Sequence, residues 1–199
     1  LTQGMGLKDG AVMSKWRGIV GDPDQLIVRY GADTVRVYIL FAAPPEDQLE
    51  WNDSAIEGTS RFLNRVWELA GSVIARSPEG ATKQSSSEIA SPRSGARNDE
   101  MLRRLVHETI RRVTQDLETY KLNTAISALM ELRNALETGT AGCPAAELRE
   151  AVATLLRLLY PFAPHLAEEL WERLGHQDLL AKSPWLTWDQ ELLRQEDVT

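Results

Sequence analysis

Five stretches between residues 54 and 175 place apolar side chains at intervals of three and four, and this spacing constrains the fold more than any other feature. Such intervals put the apolar side chains on one face of an α-helix. The stretches cover residues 54–76, 102–120, 123–136, 145–160 and 164–175. Because amphipathic helices joined by short connections pack antiparallel, the sequence predicts a mainly α fold built around an antiparallel helix bundle.

Residues that commonly start helices stand at several of the predicted boundaries. Ser54 and Glu57 form the Ser-x-x-Glu pattern of a capping box at the first long helix. Asp33 is expected to cap a shorter helix in the N-terminal region, and Asn123 to cap the third long helix. Pro164 suits the first turn of the last helix, because that position does not use its backbone N–H.

The chain divides into five segments by composition. Residues 77–98 are rich in Ser, Gly and Pro and hold one large aliphatic residue, Ile89, so they are predicted to form a mobile surface loop. The segment before the helices lacks sustained periodicity, and a short strand with a loop or hairpin is expected there. The segments are an N-terminal loop-and-helix region 1–53, a connecting helix 54–76, the loop 77–98, the bundle 99–175 and an extension 176–199.

Charge and cysteine content exclude some classes of function. With 22 basic and 29 acidic residues the net charge is -7, which argues against coating nucleic acid by charge alone but leaves room for a local basic face. The single cysteine, Cys143, excludes an internal disulfide framework, indicates a cytoplasmic protein and, with only three histidines, argues against a metal centre. No apolar run is long enough to cross a membrane. Because the chain starts at Leu1, we expect it to be a piece of a longer protein.

The second long helix carries a basic stripe. Arg104, His107 and Arg111 are spaced i, i+3, i+7 and share one face, which could follow a phosphate backbone. The alternative is an ordinary solvated face, on which Glu108 pairs with Arg104. Spacing alone favours the solvated face.

Two further arginines lie on the preceding helix. Arg61 and Arg65 are four residues apart, so they also share a face. They could contact RNA or pair with the nearby Glu57 and Glu68.

A glycine-rich segment near the N-terminus is the best candidate for a phosphate site. Val12, Met13, Ser14, Lys15, Trp16 and Arg17 form a loop with a hydroxyl and two cations, and flanking glycines permit close backbone approach. A lysine there is a compact charge suited to phosphate oxygens. From the residues alone, a solvated turn is the more common outcome.

The same loop carries a family resemblance. Met13-Ser14-Lys15 resembles the Lys-Met-Ser-Lys-Ser signature of class I aminoacyl-tRNA synthetases. Longer segments resemble the bacterial leucyl-tRNA synthetases within that class, and the similarity covers nearly the whole chain except 77–98. These segments are Phe41-Ala-Ala-Pro-Pro-Glu-Asp-Gln-Leu-Glu-Trp51, Arg61-Phe-Leu-Asn-Arg-Val-Trp67, residues 122–132 and residues 160–171. Tyr30-Gly-Ala-Asp-Thr-Val-Arg36 resembles the segment that follows the signature in the wider subgroup charging aliphatic amino acids.

The resemblance implies roles for the loop and the bundle. In that family the loop closes over ATP, bound with Mg²⁺, so Lys15 would contact the phosphates and Ser14 would assist. Val12 and Trp16 depart from the signature, which has lysine and serine there, and Arg17 would replace part of the lost charge. The bundle would lie against tRNA(Leu), while the leucine pocket would belong to another part of the enzyme.

The sequence therefore predicts a monomeric, cytoplasmic piece of a leucyl-tRNA synthetase that is inactive by itself. Two other interpretations remain open at this point. One is a separate, non-catalytic tRNA-binding module, and the other is an inactive interaction protein, for which the departures at Val12 and Trp16 are the support.

Overall fold

The structure is a computed structural model that describes residues 4, 6–8, 10–13, 23–76, 92–138 and 144–194. The N-terminal elements are β1 (Gly6–Lys8), β2 (Ala11–Val12), α1 (Pro23–Tyr30), α2 (Ala32–Ala42) and β3 (Leu49–Glu50). The later elements are α3 (Asp53–Ala75), α4 (Pro92–Glu118), α5 (Leu122–Thr138), α6 (Ala145–Leu159), α7 (Pro164–Arg173), a 3₁₀ turn (Leu180–Lys182) and α8 (Gln190–Arg194).

A small sheet with strand order β2-β1-β3 forms the N-terminal end. β1 and β2 form an antiparallel hairpin that turns at Gly10, whose φ of 73° lies in the region that favours glycine. β3 pairs with β1 in parallel, and Trp51 N donates to Leu7 O at 2.7 Å just beyond it. The sequence predicts a short strand with a loop or hairpin in this region, and the structure shows a three-residue strand that forms a hairpin with β2.

The helices α3 to α7 surround the main hydrophobic core. α5 packs against α4 and α6, while α6 also packs against α3 and α7. Leucine and isoleucine side chains from α5 and α6 fill its centre and are fully buried, among them Ile126, Leu129, Leu132, Leu155, Leu156, Leu158 and Leu159. The predicted mainly α fold with a helix bundle is confirmed. Within the described part of the chain, no helix is long and apolar enough to cross a membrane.

A second, smaller core lies between α2 and the start of α3. It consists of Val35, Tyr38 and Ile56, with Trp51 packed edge-on against Tyr38 at 5.1 Å between ring centroids. The Tyr38 hydroxyl also accepts a hydrogen bond from Asn52 N at 2.8 Å. Since Val37 belongs to the main core, α2 forms a wall of both cores.

The predicted loop 77–98 is too long at its C-terminal end. α4 begins at Pro92, so residues 92–98 are helical, and the remainder of the predicted loop, 77–91, lies outside the described residues. Proline is favourable at the first position of a helix because the N–H that it lacks has no partner there. Residues 92–98 are predicted as part of the loop because they continue directly from the Ser-rich residues before Pro92 and include Ser94 and Gly95.

The cap of α3 also differs from the prediction. The helix begins at Asp53, and Asn52 is its N-cap, with Oδ1 accepting a hydrogen bond from Ser54 N at 2.9 Å. The Ser54 hydroxyl donates to the same oxygen at 2.7 Å, so it supports the cap instead of forming it. The predicted capping box of Ser54 and Glu57 is therefore wrong, because an asparagine two residues earlier takes the capping position.

Replacing Asn52 with alanine is expected to lower the free energy of unfolding by about 1 kcal/mol, since one backbone N–H of α3 loses its acceptor. Urea denaturation monitored by circular dichroism measures this difference. Ser54→Ala is the matched control and should cost less, because the Asn52 Oδ1 to Ser54 N bond remains. A capping box would produce the opposite order of the two variants.

Two other predicted caps are also wrong. Asn123 lies inside the first turn of α5, which begins at Leu122. Asp33 lies inside α2, which begins at Ala32 after Gly31 with a φ of 85°. Instead of capping its own helix, Asp33 bonds to the start of α7: its Oδ2 accepts from Leu166 N at 2.7 Å, and its Oδ1 lies 2.8 Å from His165 Nδ1.

Candidate nucleic-acid interface

The predicted phosphate loop lies mostly outside the described residues. Val12 ends β2, and Met13 N donates to Gly6 O at 2.9 Å, which continues the hairpin. Ser14, Lys15, Trp16 and Arg17 are not among the described residues. Their contact with ATP therefore stays a prediction from the sequence.

The basic stripe on α4 is divided between two environments. Arg104 and Arg111 line a cleft of about 370 Å³ together with Leu193 of α8. His107 lies under the C-terminal segment instead, where its Nδ1 accepts a hydrogen bond from Asp189 N at 3.0 Å. The three side chains share a helix face, as the spacing predicts, but His107 already has a protein partner on one ring nitrogen.

Among the four α4 arginines whose side chains the structure describes, three are paired with carboxylates. Arg111 Nη2 lies 2.6 Å from Glu108 Oε1, and this hydrogen bond, with the charge of Glu108, raises the pKa of Arg111 above its usual value. The neighbouring pairs reach other helices: Arg103 to Glu147 at 2.8 Å and Arg112 to Glu131 at 2.7 Å. Arg104 also has an interaction partner. The expected partner of Arg104, Glu108, is engaged by Arg111.

Arg61 and Arg65 on α3, here called the α3 arginine pair, differ from these. Both side chains are exposed, and neither forms an ion pair or hydrogen bond with any residue that the structure describes. The alternative in which they pair with Glu57 and Glu68 is not observed. A phosphate group can therefore approach both guanidinium groups without displacing a carboxylate.

The cations of α3 and α4 are carried by helices that make little contact with each other. Both helices pack on α6, and the described residues show no extensive contact between the two helices themselves. On the α3 side, Arg173 of α7 lies over the Trp67 ring at 4.4 Å and pairs with Glu169 at 2.7 Å. The α3 arginine pair is therefore more available to a phosphate group than Arg173 is.

The C-terminal segment 176–194 is an integral part of the bundle, which its polar sequence did not reveal. Leu180 is only 3% exposed, and the 3₁₀ turn that it opens is capped by Glu168, whose two carboxylate oxygens accept from Leu180 N and Ala181 N at 2.8 and 2.9 Å. Farther along, Trp185 Nε1 donates to Thr114 Oγ1 of α4 at 2.9 Å. The tryptophans of this segment were the available signal for such packing.

His176, at the start of this segment, has a perturbed acidity. Its ring stacks on Trp171 with centroids 3.5 Å apart and an interplanar angle of 7°. Burial of the ring lowers the pKa of His176 below its usual value, and the positive charges of Arg149 and Arg157 lower it further. The folded chain therefore favours the neutral imidazole.

Stability is expected to fall as the pH drops through about 6.5, the usual pKa of histidine, because the unfolded chain then takes up a proton that folded His176 resists. His176→Phe keeps an aromatic ring against Trp171 and cannot be protonated. Urea denaturation between about pH 5 and pH 8 should therefore show a smaller loss of stability in the variant. An identical pH dependence of both proteins would contradict this assignment.

Among the residues that the structure describes, no group of three or more His, Cys, Asp or Glu side chains is arranged to hold a metal ion. The described part of the interface therefore consists of guanidinium groups on helices, with acidic side chains nearby.

Comparison with known proteins identifies close relatives of this chain. A family model described as the anticodon-binding domain of tRNA ligase matches residues 99–199. Over its whole length the chain is 47% identical to the leucine–tRNA ligases of Geobacter sp. strain M21 and of Oleidesulfovibrio alaskensis. The chain spans about a quarter, 24%, of the length of these curated relatives.

A solved structure shares the fold. The LeuRS of a ternary LeuRS–tRNA–LeuAMS complex from Agrobacterium radiobacter K84 matches with a TM-score of 0.84 and 33% sequence identity. The match covers 96% of this chain and 24% of that LeuRS chain.

Proposed function

The chain belongs to the family of anticodon-binding domains of tRNA ligases, and from that membership we propose that it is the tRNA-binding part of a leucine–tRNA ligase. Identity to leucine–tRNA ligases along the whole chain supports leucine as the amino acid. The fold that it shares with a LeuRS in a tRNA complex supports tRNA as the partner. The reaction is a two-step acyl transfer: leucine and ATP give leucyl-adenylate and pyrophosphate, and the leucyl group then passes to the 3′ end of tRNA(Leu).

The observation that carries the RNA proposal is the α3 arginine pair. Arg61 and Arg65 are exposed on one helix face of a chain whose net charge is -7, and no described residue pairs with either guanidinium group. A guanidinium group binds phosphate oxygens through two parallel hydrogen bonds, so two of them one helical turn apart can follow a strand of RNA.

The cleft on α4 makes a secondary contribution. Arg104 and Arg111 line it, but Arg111 already shares its charge with Glu108. A phosphate must compete with that carboxylate, so the net gain in binding is smaller than at the α3 arginine pair. His107 adds a contact only through the ring nitrogen that Asp189 leaves unused.

The role in amino-acid activation rests on the sequence. Lys15, with Ser14, would bind the ATP phosphates and stabilise the negative charge that develops as pyrophosphate leaves. Mg²⁺ would accompany ATP, with ligands outside the described residues. We further propose a monomeric enzyme in the cytoplasm.

A chimera tests the proposal. The matching quarter of the Geobacter leucine–tRNA ligase is replaced by this chain, and charging of tRNA(Leu) with leucine is measured. We expect the chimera to charge tRNA, and the same chimera with Lys15→Ala to bind tRNA while losing ATP–pyrophosphate exchange. A folded chimera without charging contradicts the proposal.

The second candidate function is a non-catalytic tRNA-binding module, which the departures at Val12 and Trp16 favour. It predicts that the chimera binds tRNA(Leu) with the affinity of the Geobacter enzyme but shows no ATP–pyrophosphate exchange. Restoring the signature with Val12→Lys and Trp16→Ser would then recover exchange.

A further inference from the structure

We propose that Asp33 and Arg36 of α2 are positioning residues that hold the N-terminal unit in one orientation on the tRNA-binding bundle. The N-terminal unit is β1, β2, β3, α1 and α2, and the bundle is α3 to α7 with its C-terminal segment. The inference rests on the proposed function, because the two units would serve the ATP and the tRNA side of one reaction.

Asp33 supplies the cap that α7 lacks. Ala163, the N-cap residue of α7, has no side chain that can accept a hydrogen bond, so the first N–H groups of this helix need another partner. The Asp33 carboxylate, only 10% exposed, accepts from Leu166 N at 2.7 Å and from His165 Nδ1 at 2.8 Å. Its negative charge also lies where the helix dipole is positive.

Arg36, one turn farther along α2, bonds to the end of α6. Its Nη2 donates to Pro161 O at 3.2 Å and its Nε to Phe162 O at 3.4 Å. These carbonyl groups follow the last turn of α6, where backbone oxygens lack partners within the helix. One face of α2 therefore places an anion at the start of α7 and a cation at the end of α6.

This arrangement fixes the position of α2 more strictly than apolar packing does. A slide of α2 by one turn would bring Arg36 to the start of α7, where a positive charge is unfavourable. Hydrogen bonds also weaken steeply when distance and angle change. The two opposite charges thus define a single register between α2 and the corner that joins α6 to α7.

The register matters for function because α2 connects the two units. It contributes Val37 to the main core and Tyr38 to the small core, so both units share this helix. The described residues of the predicted ATP loop, Val12 and Met13, belong to the N-terminal unit. Because misplacement of reacting groups by about 1 Å can cost about 100-fold in rate, a loosened α2 would slow transfer of the leucyl group to a tRNA held by the bundle.

The test uses the chimeric ligase with Asp33→Ala and Asp33→Asn. For Asp33→Ala we expect kcat for tRNA charging to fall by at least about tenfold, while the Kd for tRNA and the rate of ATP–pyrophosphate exchange without tRNA stay within about twofold. Asp33→Asn keeps an oxygen for Leu166 N and should recover most of the charging rate. His165→Gln is the matched control, since this side chain is 77% exposed and the cap remains. It should charge like the unmutated chimera.

If the Asp33→Ala chimera charges tRNA at the rate of the unmutated chimera, the inference is overturned. It is also overturned if tRNA affinity, ATP–pyrophosphate exchange and charging all fall by the same factor. If Asp33→Ala does not fold, Arg36→Met is measured in its place, because it keeps the aliphatic stem and removes the two carbonyl contacts. An unmutated chimera that neither binds nor charges tRNA overturns the proposed function itself, and the role of the two positioning residues with it. The two failures are therefore distinguished by the unmutated protein.

Discussion

Leu129→Ala is expected to lower the free energy of unfolding by about 3 kcal/mol, and more if the core cannot collapse around the gap. Leu129 is fully buried in α5, within the core that α3 to α7 share. The substitution removes apolar surface from this core and leaves a cavity, and both effects oppose folding. Since domains of this size are stable by only about 5–15 kcal/mol, the loss should be plain in the urea midpoint.

Leu179→Ala is the matched control, because the same atoms are removed from a leucine that is 57% exposed. Its cost should stay within about 0.5 kcal/mol. Equal losses in the two variants would contradict the placement of Leu129 at the centre of the bundle.

Replacing both members of the α3 arginine pair, Arg61→Ala with Arg65→Ala, is expected to weaken tRNA(Leu) binding on the order of 30-fold, from about 1 kcal/mol for each of the two lost guanidinium–phosphate contacts. The slope of log K against log salt should also become shallower by about 2, one unit for each lost phosphate contact. Both side chains are exposed on one face of α3, so the substitutions leave the core intact. Filter binding at several salt concentrations measures both quantities.

Arg103→Ala with Arg112→Ala is the control for this variant. It changes the net charge by the same amount, but these arginines already pair with Glu147 and Glu131. We expect its affinity to stay within about threefold of the unmutated chain. If both double variants weaken binding equally, net charge alone determines affinity and the α3 arginine pair has no special role.

The helices could be predicted because their signal is local. The apolar spacing of residues 145–160 gave α6, which spans Ala145–Leu159, and Pro164 begins α7 as expected. Each helix buries one face of its own residues, so the apolar spacing along the sequence is enough to recognise the helix.

The polar contacts could not be predicted, because their partners are far away in the chain. Aspartate often caps the helix that it begins, yet the backbone N–H that Asp33 binds belongs to Leu166, 133 residues later in the chain. Arg103 and Arg112 of α4 pair with Glu147 and Glu131 of other helices, which i, i+4 spacing cannot indicate. The availability of the α3 arginine pair therefore became evident only after the helices were packed.

The most direct test of RNA binding by this chain is its titration with tRNA(Leu) at several salt concentrations between about 50 and about 200 mM. We predict saturable binding at the lowest salt concentration and an affinity that falls linearly in log K against log salt as phosphate contacts are screened. Absence of saturable binding at the lowest salt concentration, or an affinity that does not change with salt, would contradict this prediction.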